Sequence, residues 1–263
     1  MRTPNQRETP LRPVPEVRRK RPLPAVQTCP DCGDTGWKPS SRPDGLPAVA
    51  ACTCRDAAPG PVRLEDIGVP RKEAEQARFD RFFSVSGPLE RAKGVVYKWA
   101  DSYPDVKGGL LLHGPAGVGK THLAVALLHH VLLERGISVR ARFEYVPRLL
   151  REVQHERNDL LLIDERRLAE LAHAEIVVLD QIGADTGWGQ RVQERFLYIL
   201  HRCVQGASFL ICTTAFPLEA AQQATLAEQI TVRGVSLLHE ACRVVPMPGE
   251  DYRIKIINPG LNV

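Results

Sequence analysis

Residues 114–121 read Gly114-Pro115-Ala116-Gly117-Val118-Gly119-Lys120-Thr121. This is G-x-x-x-x-G-K-T, and no other stretch of the chain constrains the surrounding fold as tightly. Its chemistry needs a buried strand before it and a helix start after it. The glycines let backbone N–H groups turn inward around phosphates, and the helix N-terminus adds partial positive charge. Both flanks comply: Leu110-Leu111-Leu112 is an apolar run suited to a buried parallel strand, and Leu123, Ala124, Leu127, Leu128 and Val131 recur at helical spacing. A chance match in a glycine-rich turn would not carry both. In such a loop Lys120 reaches the β- and γ-phosphates and the Thr121 hydroxyl ligates Mg2+. Gly114 through Thr121, with the adjoining His122, form the expected contact set for ATP.

From Leu110 onward, apolar runs alternate with helical stretches, the pattern of a parallel α/β sheet. Strands are predicted over 110–113, 137–143, 176–180, 208–214 and 242–247, with helices over 120–134, 146–157, 190–205 and 218–240. The result is an α/β P-loop NTPase with a five-stranded parallel sheet flanked by helices. Such a site needs an acid at the tip of a neighbouring strand to hold magnesium through water, followed by a second acid that orients the attacking water. Two segments compete. Leu160-Leu161-Leu162-Ile163-Asp164-Glu165 has the better acidic ending, whereas Ile176-Val177-Val178-Leu179-Asp180-Gln181 is richer in β-branched residues and runs into the turn signal Ile182-Gly183. After Asp164 the chain passes directly into a helical pattern (Leu168, Leu171, Ala172), leaving about the minimum length for a parallel crossover. Asp180 is therefore the expected magnesium-side acid and 160–173 a helix, at the cost that the next position holds Gln181, which cannot act as a base.

The N-terminal part has a different character. Residues 1–27 carry seven bases against two acids, together with six prolines, while the whole chain is only +4. The basicity thus belongs to this arm, which buries too little apolar surface to fold alone and reads as disordered. Its Arg18–Arg21 cluster suits a phosphate backbone or an acidic partner, or is a solvated tail. Cys29 and Cys32 form a C-x-x-C, and Cys52 and Cys54 a C-x-C, within 28–60. No histidine precedes His113, so a zinc site here would be all-cysteine, its metal supplying the folding energy of a small module. A redox pair and unliganded thiols are the alternatives. Cys203, Cys212 and Cys242 sit in apolar contexts and read as core. Residues 61–105 read as a helical linker in which Phe79, Phe82 and Phe83 pack beside the nucleotide domain, 106–263; an aromatic near adenine is the alternative. No apolar run approaches a membrane span and the N-terminus is not signal-like, so a cytoplasmic, membrane-free protein is expected.

Together these residues resemble the DnaC/DnaI-type bacterial helicase loaders and the related IstB-type transposition helper ATPases of the AAA+ superfamily. The resemblance covers about residues 28–255. It is carried by Gly114–Ala124, Leu179–Gly183 with Trp188, Thr213-Thr214 closing a strand, and the ending Cys242–Val245 with Gly249-Glu250-Asp251-Tyr252-Arg253. The Cys-Pro-x-Cys-Gly-Asp-Thr-Gly-Trp segment is similar to the N-terminal zinc module of the loader branch, which the transposition helpers generally lack. The resemblance implies an ATP-controlled protein in DNA replication that forms a homo-oligomer around a replicative helicase or single-stranded DNA. ATP would sit at a subunit junction, where a neighbour's arginine senses the γ-phosphate. It also implies Thr214, beside Lys120 and Asp180, as part of the hydrolytic set.

Three departures from the family pattern fall on the hydrolysis side: Gln181 for an acid, Ala215 for the polar sensor, and Leu237 at the arginine-finger position of Arg233-Gly234-Val235-Ser236-Leu237-Leu238. Arg233, Asp185 or Asp164 would partly substitute. Three readings follow: a helicase loader or replication accessory factor with slow or impaired hydrolysis, a non-hydrolysing nucleotide-gated adaptor, and a transposition helper, against which the cysteine module argues. Nothing resembles the lid or acceptor pocket of a kinase, and no stripe of interleaved basic and aromatic residues marks a DNA surface.

Overall fold

The computed structural model describes residues 31, 37–41, 45–52, 63–84, 86–154, 165–184, 188–206, 209–219 and 224–254. The chain divides into two compact units, 1–57 and 58–263. In the first, strands β1 (Trp37–Ser41) and β2 (Pro47–Ala51) form an antiparallel ladder running from Trp37 opposite Ala51 to Ser41 opposite Pro47. Cys52 follows directly and is buried. Cys29, Cys32 and Cys54 lie outside the described residues, as does the arm 1–27.

The second unit is built on five parallel strands: β3 (Gly109–His113), β4 (Ala141–Tyr145), β5 (Ile176–Ile182), β6 (Phe209–Thr214) and β7 (Cys242–Pro246), in the order β4-β5-β6-β3-β7. The apolar runs are continuous because both faces are covered. Strand alternation sends Leu110, Leu112, Ile176 and Val178 to one core, and Leu111, Val177, Leu179, Leu210 and Cys212 to the other. The first core also takes up helices α2 (Gly87–Ser102) and α3 (Lys120–His129). The second includes side chains of α4 (Val146–Gln154), α5 (Glu165–His173), α6 (Gln190–Gln205) and α7 (Leu226–Ala241). From Leu123 to Leu128 helix α3 is apolar all round, which fits its buried position behind the loop.

Residues 63–103, which include the short helix α1 (Arg71–Gln76), contribute Leu64, Ile67, Val69, Phe79 and Phe82 to the same core as α3. The Phe143 N–H donates to the Ile67 carbonyl at 2.7 Å, tying this segment to the sheet.

Several boundaries differ from expectation. The strand expected at 137–143 is β4, 141–145: the Arg140 carbonyl accepts from Glu175 N, so pairing with β5 begins only at Ala141. The helix expected over 120–134 is α-helical to His129 and continues as a π-helical turn, His130–Glu134, with the Glu134 carboxylate accepting from both His129 and His130 Nδ1. The helix expected from 218 begins at Leu226, where Thr225 caps it by accepting from the Glu228 N–H, and it kinks at Thr231 (φ 71°). There the Thr231 hydroxyl accepts from Gly234 N and caps the second half. Residues 155–164, with Asp164 among them, lie outside the described residues.

Candidate nucleotide-binding site

The phosphate loop joins β3 to α3, at the carboxyl end of the sheet. Gly117 (φ 74°) and Gly119 (φ 94°) adopt left-handed backbone that favours glycine, and both are crowded. A side chain at Gly117 would collide with the Asp251 carboxylate, and one at Gly119 with the Phe82 ring. Val118, between them, is buried and anchors the loop in the core. Gly114 N–H donates to the Thr214 carbonyl at 3.3 Å, fastening the start of the loop to β6. The Lys120 ammonium donates to the carbonyls of Gly114 (2.7 Å) and Pro115 (2.6 Å), so the cation lies along the loop itself. Burial pulls its pKa down to about 8; Arg253 pushes the same way, while Asp180 and Asp251 oppose.

Asp180 ends the core part of β5 and is 2 % exposed. Its Oδ1 accepts from the Thr121 hydroxyl and from the Thr213 hydroxyl, both at 2.8 Å. Burial raises the Asp180 pKa, and those two hydrogen bonds, then Lys120, pull it back. The Thr121 hydroxyl and Asp180 carboxylate are adjacent hard-oxygen donors, the set that suits a magnesium ion keeping several of its waters. These residues would hold the ion, and it would neutralise phosphate charge there.

Thr214 is turned away from the acid. Its hydroxyl donates to the Ile182 carbonyl (2.9 Å) and accepts from Phe216 N, closing the turn after β6. The acid-facing hydroxyl is that of Thr213, which strand alternation puts on the same sheet face as Asp180, the face of Ile211 and Val178, and which sequence reading left without a role. Gln181 lies in a β-bulge between Leu179 and Ile182, with φ 60°. Its N–H donates to Thr213 Oγ1 (2.9 Å), and its Oε1 accepts from Tyr145 OH (3.3 Å).

Other segments close on the loop. The Nε2 of His122 lies 2.8 Å from the Arg78 carbonyl and its ring 5.6 Å from that of Phe82; burial lowers its pKa. From the carboxyl side, Met247 N–H donates to the His113 carbonyl and Tyr252 N–H to the Gly117 carbonyl. This seats Asp251 over the loop, where its carboxylate accepts from Arg253 N, Nε and Nη2. Arg253 thereby holds the Asp251 pKa below the usual carboxylate range. Of the three departures, Gln181 is half-exposed, Ala215 is exposed, and Leu237 packs against the second core while Arg233 is exposed. Asp185 lies outside the described residues. Among the described residues no three potential ligands form a metal cluster, and no helix is long and apolar enough to cross a membrane.

Residues 95–258 match the IstB-like ATP binding protein family. An ATP-binding protein in an insertion sequence of Mycobacterium tuberculosis is 26% identical over 181 residues, covering 68% of each chain. The ATP-binding protein of insertion sequence IS21 of Pseudomonas aeruginosa is 30% identical over 151 residues, 56% of this chain and 52% of that one, so the match spans about half of that relative. Among solved structures, the DnaC helicase loader superposes with a TM-score of 0.57 at 24% identity, over 68% of this chain and 99% of that one. At that identity the likeness carries the fold alone.

Proposed function

The chain belongs to the IstB-like ATP binding protein family, and from that membership we propose that it is an ATP-controlled helper protein that binds ATP with magnesium and hydrolyses it slowly in the service of a DNA-processing partner. One observation carries the reading: the Thr121 hydroxyl and Asp180 carboxylate meet at 2.8 Å directly behind a complete phosphate loop. In this reading Gly114 to His122 cradle the nucleotide. Lys120 swings from the loop carbonyls to the β- and γ-phosphates, and Thr121 with Asp180 holds the ion. Slow turnover follows from Gln181, which has no carboxylate to take a proton, and from Leu237, whose position offers no guanidinium. A positioned arginine is worth roughly 10³-fold or more in phosphoryl transfer.

Both curated relatives are named as ATP-binding proteins of insertion sequences, which favours a transposase as the partner. A second reading, loading of a replicative helicase onto single-stranded DNA, is favoured by the paired cysteines. In that reading Cys29, Cys32, Cys52 and Cys54 bind zinc. The hairpin supports this, because Trp37, five positions after Cys32, pairs with Ala51, one before Cys52.

The test is ATP binding and phosphate release for the native chain, Lys120→Ala and Asp180→Ala, with capture of purified transposase or hexameric helicase in the presence and absence of ATP. The expected result is ATP binding lost in Lys120→Ala, magnesium dependence lost in Asp180→Ala, and ATP-dependent capture of the transposase. A native chain that binds no ATP ends the reading; capture of the helicase alone selects the second.

A further inference from the structure

The residue after the magnesium-side acid is an amide where a carboxylate would act as base, yet the protein holds this amide with unusual care. Gln181 is a non-glycine residue at φ 60°, a backbone state that is uncommon for such residues and that persists only where neighbours enforce it. The neighbours here come from the two flanking strands, β6 and β4. Thr213 on β6 accepts the Gln181 N–H and donates to Asp180, so the same hydroxyl fixes the acid and the backbone of the residue beside it. Tyr145, the last residue of β4 and register partner of Asp180, donates its phenol to the Gln181 Oε1. Gln181 is therefore held at its backbone N–H by Thr213 and at its amide oxygen by Tyr145, one residue from a carboxylate bonded to the phosphate loop. A free surface glutamine would have no such constraint.

We propose that Gln181 is the water-orienting residue of this site and that Tyr145 is its positioning residue. The inference rests on the ATP-hydrolysing reading above. The amide oxygen has two lone pairs: one accepts from Tyr145 and the other accepts from the attacking water, while Nε2 donates toward the γ-phosphoryl oxygens. The water oxygen bonds to the γ-phosphorus as the bond to the bridging oxygen breaks, its electron pair leaving on ADP. The proton lost by the water goes to a phosphoryl oxygen of the released phosphate, since an amide cannot take it. A glutamine can orient water in this way in nucleotide hydrolysis without serving as a base. The charged groups that act on the adjoining Asp180 are Lys120 on α3 and Glu73 on α1.

The test is steady-state hydrolysis, with ATP affinity and thermal stability measured alongside, for the native chain, Gln181→Asn, Gln181→Glu and Tyr145→Phe. Asparagine tolerates left-handed backbone well, so Gln181→Asn keeps or raises stability and ATP affinity while kcat falls about tenfold, because the shorter amide misses the water. Tyr145→Phe lowers kcat several-fold with KM within twofold. Gln181→Glu supplies a general base and raises kcat about tenfold or more. Unchanged kcat in Gln181→Asn overturns the proposal, as does a native chain that binds ATP without turnover. Absence of ATP binding overturns the nucleotide reading itself and this inference with it.

Discussion

At the scale of single residues, the site is dominated by one buried cation and one buried acid. Lys120 must be charged to hold phosphate, but burial has pulled its pKa to about 8. Phosphates favour the ammonium form, so binding raises that pKa and takes up protons where the free protein has begun to lose them. ATP affinity should therefore be flat below about pH 7.5 and weaken as pH rises through 8, approaching tenfold per pH unit. Calorimetry at pH 8.5 in buffers of different ionisation enthalpy should register net proton uptake. An affinity constant from pH 7.5 to 9.5 would mean that Lys120 does not contact the phosphates.

At the scale of elements, β4 and α5 are joined by a fork. The Arg167 guanidinium donates through Nε and Nη2 to both carboxylate oxygens of Glu144, which is only 5 % exposed. Removing one partner of a buried pair leaves an uncompensated charge, so Arg167→Ala should cost about 3 kcal/mol in chemical denaturation. The double change Glu144→Leu with Arg167→Met should recover most of it. A loss below about 0.5 kcal/mol would reassign the fork as a surface ion pair. Elements were also the scale at which the sequence was most legible. The five strands, their helices and the choice of helix for the chain before His173 follow from apolar runs and spacing. What pairing and capping decide locally did not show: Ala141 as the start of β4, the Thr225 cap, and the kink at Thr231. Within the site, the loop and the acid could be read because they are contiguous motifs. Thr213 could not, because its role depends on β6 lying beside β5 with Thr213 on the face that Asp180 shares. Tyr145 and Asp251 could not, because each reaches its neighbour across a separation in the chain that no spacing rule records.

At the scale of the whole molecule, two units, 1–57 and 58–263, should respond to different ligands. ATP at a hundredfold excess over its dissociation constant stabilises a folded domain by about 2.7 kcal/mol. For a domain of this size that raises the melting temperature by roughly 5–10 °C. Calorimetry should show that shift for the large transition, and Lys120→Ala should remove it. A strong chelator should instead alter the signal of residues 1–57; a scan in which chelator changes nothing argues against zinc there. The buried thiols of the large unit have a practical consequence for such work. Burial raises the Cys203 pKa to about 12, and Cys212, hydrogen-bonded to Cys242 within the core, lies well above its usual value. The thiolate is the nucleophile that attacks an alkylating reagent, and Cys203, Cys212 and Cys242 are all buried, so in the native state they are effectively silent to such reagents. Maleimide dyes or isotope-coded alkylation, applied without mutating a single cysteine, would then label only the N-terminal unit, turning it into a built-in reporter of metal occupancy.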